Sequence, residues 1–145
     1  MNEEISEELN KFNSLYKAMD DVYHDIAFQL HLSDSAFSIL YTICLLGDGC
    51  QQKDICNTTF ISKQTIHSSI KKLEQDGILV LQAGRGRDMH IHLTPAGQKL
   101  AEEKILPVIE MENRTFTGML PEERHQLLAL LENYVIRLQK NAKEL

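Results

Sequence analysis

Tryptophan is absent from this sequence, and only three prolines and three cysteines occur among its 145 residues. An odd cysteine count argues against a disulfide framework. Met1-Asn-Glu-Glu has neither the basic nor the apolar part of an export leader, so reduced thiols and a cytoplasmic location are expected. Long apolar runs are missing too. The longest, Ala36 to Leu46, is interrupted by Ser38 and Thr42 and falls short of the ~20 apolar residues a bilayer span needs. It predicts a buried core helix and no membrane partner. Nothing resembles a phosphate-cradling glycine loop, a nucleophile motif or a catalytic acid pair, and Gly84-Arg-Gly86 reads as a turn. No enzymatic activity and no cofactor are expected.

Positive charge is scarce overall, with 15 Lys and Arg against 21 Asp and Glu and a net charge of −6. That average argues against nucleic-acid binding, because phosphate contacts need cations. The distribution reverses the argument. Between Gln51 and Leu93, six basic residues (Lys53, Lys63, Lys71, Lys72, Arg85, Arg87) face four acidic ones, leaving this segment at +2 and the remainder at −8. Such a split suits a central segment that meets phosphate and flanks with another task.

What the chain does contain is periodicity. Ile5, Leu9, Phe12, Tyr16, Met19, Tyr23, Ile26 and Leu30 recur at steps of three and four, which predicts a long first helix. Ser33-Asp34-Ser35 can cap a second helix running to about Leu46, where Gly47-Asp-Gly49 makes a turn. A short helix is expected near Gln52 to Asn57. Ser62 can then cap a helix with an apolar face of Ile66, Ile70 and Leu73, ending at Asp76-Gly77. Two helices so close together form a helix-turn-helix candidate. Beyond Gly77 the period falls to two. Ile78 to Leu81 and Met89 to Leu93 read as strands, joined by the basic, glycine-bearing link Gln82 to Asp88. Thr94-Pro95 starts a fifth helix, Pro107 is expected to lie inside it or end it, with a kink, and Pro121 starts a last helix. There Leu127, Leu131, Tyr134 and Leu138 form a stripe that Leu128, Leu130 and Val135 widen.

The stretch Lys53 to Ile78 is similar to the reading head of the MarR family, and Leu93-Thr-Pro-Ala-Gly97 resembles the family's Leu-Thr-x-x-Gly after the wing. The resemblance implies a mainly α fold with a small β-hairpin wing, a winged helix-turn-helix flanked by dimerisation helices. Residues 1–145 would form a single MarR-like domain, with 34–97 the DNA-binding lobe and 1–32 and 98–145 the helical dimerisation region. It further implies a homodimer on double-stranded, pseudo-palindromic DNA, with the Ser62 helix in the major groove and the hairpin at the minor groove. The side chains suit that role. Ser62, Lys63, Gln64, Thr65, His67, Ser68, Lys71 and Lys72 on the helix, with Arg85 and Arg87 on the hairpin, offer base-pairing amides, hydroxyls, imidazole and phosphate-binding cations. An ordinary solvated helix face is the plain alternative. Two departures stand out: Phe60 and Ser68 lie where the family often has Gly and Arg, and Arg85 occupies an acidic position of the family's wing.

By the same resemblance, a small effector, often phenolic, would bind near Tyr23, His24, Phe28 and Tyr41, which equally suit a core. A repressor modulated by such a ligand is the expected function. The alternatives are a winged-helix protein-interaction module that does not read DNA, and a thiol-based redox sensor. Cys44, Cys50 and Cys56 repeat at six-residue spacing, but lie ahead of the wing and not after it as in iron–sulfur winged-helix regulators. Inert thiols are expected, with Cys50 beside its glycine turn the one redox candidate. The pairs His90/His92 and His24/His31 lack a further ligand set, so no metal is expected. The first pair reads as a solvated wing face, the second as an interfacial or pocket-lining surface.

Overall fold

The computed structural model describes residues 4–86 and 88–145. The chain divides into two compact units, one ending at Leu106 and the other spanning Pro107–Leu145. In the first, α1 (Glu7–Gln29) begins at Ser6, whose side chain accepts from the Leu9 amide. It closes with Leu32 N–H reaching Ala27 O and His31 N–H reaching Phe28 O. His31 takes a left-handed φ of 58°, the position such a helix end usually gives to glycine. Only Ala27 of α1 is buried.

Helix α2 (Asp34–Leu46) is capped by Ser33 and buries Phe37, Ile39, Leu40, Thr42 and Ile43, as its apolar composition predicts. Gly47 and Gly49, both at positive φ, turn the chain into α3 (Gln52–Thr58), where the Asp54 carboxylate accepts from the Gln51 amide. Helix α4 (Lys63–Gln75) buries Ile66, Ile70 and Leu73, the three residues spaced for that face. It ends at Gly77, φ 73°, with Ile78 N–H on Leu73 O and Gly77 N–H on Glu74 O. This double closure takes Ile78 into the helix exit.

The first strand therefore starts one residue later than the sequence suggests, while the second begins at Met89 as expected. β1 (Leu79–Ala83) pairs antiparallel with β2 (Met89–Leu93), from Leu79 opposite Leu93 to Ala83 opposite Met89. Gln82 and Ala83, expected in the link, belong to the ladder. The sequence pattern also gave no sign of a further bridge between Gln51 and His90, with Gly49 N–H on Ile91 O and Ile91 N–H on Cys50 O. The lobe's core is aliphatic: Ile39, Ile43, Ile55, Ile66, Ile70, Leu73, Leu79 and Ile91, flanked by Ile61, Cys50 and Cys56 among others.

Helix α5 (Pro95–Leu100) leads into a π-helical turn over Ala101–Ile105, in which Leu106 N–H reaches back to Ala101 O. Lys104 Nζ donates to Leu30 O at 2.8 Å, capping the exit of α1. Pro107 lies inside the helix and does not end it, one of the two places expected for it. It is the second residue of α6 (Leu106–Thr117), directly after the widened turn. Proline has no N–H to give and its ring crowds the carbonyl four residues back, so a local change of pitch accommodates it. In the second unit, α7 (Pro121–Ala142) starts with Glu123 Oε2 accepting from the Leu120 amide. No residue of α7 is buried within the chain.

Candidate nucleic-acid interface

The candidate site grows from the start of α4. Ser62 Oγ accepts from the Thr65 amide at 3.2 Å and donates to Thr65 Oγ1 at 2.9 Å, so both side chains hold the helix start in shape. Ile66, Ile70 and Leu73 anchor one face in the core. Lys63, Gln64, Thr65, His67, Ser68, Lys71 and Lys72 are consequently turned outward and exposed. Not all of them are equally available. His67 Nδ1 lies 3.3 Å from Gln52 Oε1 at the head of α3, and Ser68 Oγ donates to Gln64 O at 3.0 Å. Ser69 is turned inward, its hydroxyl 2.6 Å from that of Ser35 on α2. Among the described residues, the exposed side chains of Lys63, Gln64, Lys71 and Lys72 make no such bond.

The hairpin supplies the second part. Its tip closes through Gly84 N–H on Asp88 O at 2.7 Å, with Gly86 at φ 73°, a conformation that side chains other than glycine's disfavour. Arg85 is exposed at this tip, and no ion pair involves it among the described residues. Arg87, the other wing candidate, lies outside the described residues.

The wing is fastened to the turn after α2 by Asp48 of that turn and by His90 and His92, the two histidines expected to face solvent. His90 Nδ1 lies 2.7 Å from Gly49 O. Asp48 bridges twice, its Oδ1 accepting from the Leu93 amide at 2.8 Å and its Oδ2 lying 3.1 Å from His92 Nδ1. Both histidines are partly buried, so the reading of a solvated face is corrected: strand alternation shows which residues share a face, not what covers it. At the far end, Thr94 Oγ1 donates to Gly77 O at 2.6 Å and accepts from the Gly97 amide at 3.0 Å. A methyl group on Gly97 would collide with the Ile78 carbonyl. The Leu-Thr-x-x-Gly pattern is thus a joint between α4, β1 and α5.

Of the effector candidates, Tyr23, His24 and Phe28 lie exposed on α1, while Tyr41 is half-buried on α2 with its ring centroid 5.8 Å from that of Phe37. His24 Nδ1 approaches the Asp34 carboxylate at 2.9 Å, and that hydrogen bond and charge raise its pKa above the usual 6.5. An open depression of about 440 Å³ lies elsewhere, between the α2–α3 turn and α3, lined by Leu46, Asp48, Cys50, Asp54, Asn57 and Thr58 among others. Burial raises the pKa of Cys50, and the charges of Asp54 and Asp48 add to it; burial alone raises that of Cys44. A thiol held protonated is a poor nucleophile, which weighs against Cys50 as a redox sensor. Among the described residues no group of three His, Cys, Asp or Glu is placed to hold a metal ion. No described helix is long and apolar enough to cross a membrane.

An aliphatic three-helix lobe with a capped, outward-facing second helix and a glycine-tipped wing is a winged helix-turn-helix, the architecture of MarR-family transcriptional regulators. Residues 30–87 match the sequence model of the MarR family. Solved structures share the fold over nearly the whole chain. A MarR family regulator from Neisseria meningitidis is 23% identical, with a TM-score of 0.82 over 96% of this chain and 99% of that one. The DNA complex of MepR from Staphylococcus aureus is 22% identical, with a TM-score of 0.68 over 93% and 99%. BpsR of Bordetella bronchiseptica, whose DNA binding is regulated by 6-hydroxynicotinic acid, is 24% identical, with a TM-score of 0.64 over 86% and 98%. No curated protein sequence matches the chain at a significant level. The chain has the winged helix-turn-helix fold, and residues 30–87 within it are similar to the MarR family.

Proposed function

We propose that this protein is a transcriptional regulator that binds specific double-stranded DNA as a homodimer and acts as a repressor released by a small-molecule effector. The observation that carries the reading is the outward face of α4: Lys63, Gln64, Lys71 and Lys72 project from a helix whose other face is locked in the core, beside a tip bearing Arg85. Gln64, near the helix N-terminus, is placed to pair with a base edge, and the lysines and Arg85 to neutralise phosphate. Homodimerisation is supported by the apolar residues that α1 and α7 each leave uncovered. The relatives support the effector: BpsR is regulated by a small hydroxylated heteroaromatic acid. Tyr23, His24, Phe28 and Tyr41 are its proposed neighbours.

The test is binding to the protein's own upstream DNA and to random duplex at several salt concentrations. Affinity should fall steeply with salt, and Arg85→Ala should weaken binding to both duplexes and flatten that dependence. Gln64→Ala should cost about 1–3 kcal/mol on the specific site only. If neither variant changed affinity or salt slope, the assignment of α4 and the wing to DNA would fall, leaving the protein-interaction reading.

A further inference from the structure

We propose that Phe60 is a specificity-determining residue of this surface, packing its ring on the C5-methyl group of a thymine at the edge of the major groove. The inference rests on the DNA-binding reading of α4. Phe60 is fully exposed, at 101% of its reference area, and is the one large apolar side chain exposed between Leu46 and Val80 among the described residues. A fully exposed aromatic ring keeps its whole apolar area available for contact with a partner.

The turn around it is held on both sides. Thr58 Oγ1 donates to Asp54 O at 2.9 Å, and Thr59 Oγ1 donates to Ile55 O at 3.0 Å. Ile61 packs on the core, and Ser62 caps α4. Ile61 already fills the inward position, so the ring of Phe60 is left outside. It stands two residues before the cap, at the end of α4 that meets base edges in this docking class.

The surroundings decide what it meets. Asn57, Thr58, Ser62 and Lys63 are exposed and polar, so no neighbour in this stretch of chain extends the apolar surface of the ring. A protein-docking face would need a contiguous apolar patch. Phosphates offer nothing to a phenyl ring, whereas the thymine methyl is the apolar group that the major groove presents.

Duplexes selected from a random pool by the wild-type protein supply the binding site. Each thymine in it is then replaced in turn by uracil, which removes only the methyl group, and affinities are measured for wild type, Phe60→Ala and Phe60→Leu. One thymine per half-site should matter: its replacement should weaken the wild type about fourfold, as expected for one buried methyl group. Phe60→Ala should bind the unmodified site more weakly and be insensitive to that replacement, with Phe60→Leu in between. The exposed position makes misfolding no obstacle, and circular dichroism checks it. Equal sensitivity of wild type and Phe60→Ala at every thymine, or unchanged affinity of Phe60→Ala, would overturn the inference while leaving DNA binding intact. A change of oligomeric state in Phe60→Ala would overturn it in favour of a protein contact. Absence of salt-dependent DNA binding by the wild type would remove this inference together with the reading beneath it.

Discussion

Gly97 shows how much a single residue can decide in this lobe. Its α-carbon sits so close to the Ile78 carbonyl that no side chain fits, and the clash is with backbone, which cannot rotate away. Gly97→Ala should therefore destabilise the fold by about 1–3 kcal/mol, read as a lower urea midpoint at unchanged slope. A midpoint equal to wild type would show that the joint yields. His24 provides the pH-dependent counterpart. Its pKa is raised in the folded chain by the Asp34 carboxylate, so the pair's stabilisation is complete below about pH 6.5 and is lost as pH rises through the raised value. NMR titration of Asp34→Asn should move the His24 midpoint down towards 6.5; an unmoved midpoint would rule Asp34 out as the cause.

At the scale of elements, the wing is held by its neighbours as much as by its own ladder. Two strands alone are marginal in water, and here the α2–α3 turn adds a bridge at His90 and the double hold of Asp48 on β2. Asp48→Ala should cost about 1 kcal/mol, since the carboxylate is partly exposed, and should speed hydrogen exchange of the Leu93 amide more than that of α4 amides. Unchanged protection at Leu93 would mean the ladder suffices. Because the wing and the turn ahead of α3 are joined in this way, a ligand that moved the turn would also move the proposed DNA-contacting tip.

For the whole molecule, the decisive feature is what one chain leaves uncovered. α1 exposes Leu9, Phe12, Leu15, Met19 and Val22, and α7 exposes Leu127, Leu128, Leu131 and Leu138, each at more than a third of its reference area. Apolar surface of this extent marks an association site in a stable protein. Sedimentation should therefore find a dimer, and truncation before Pro121 should yield aggregate or a poorly folded monomer. A folded, stable monomer of the truncated chain would refute an obligate dimer.

Local rules made most of the elements legible from the sequence. Ser33, Ser62 and Thr94 announced helix starts because a hydroxyl can satisfy a free amide at that position, and Ile66, Ile70 and Leu73 announced a buried face because their spacing matches the helical turn. The polar face of α4 and the glycine-bearing tip at Arg85 followed from the same patterns. Contacts between residues far apart in the chain carry no such periodic signal. The hold of Asp48 on β2, the capping of α1 by Lys104, the collision that reserves position 97 for glycine and the inward turn of Ile61 that leaves Phe60 in water were decided only when the helices packed. A side chain's type limits what it can bond, but its partner is whichever group the tertiary structure brings within about 3 Å.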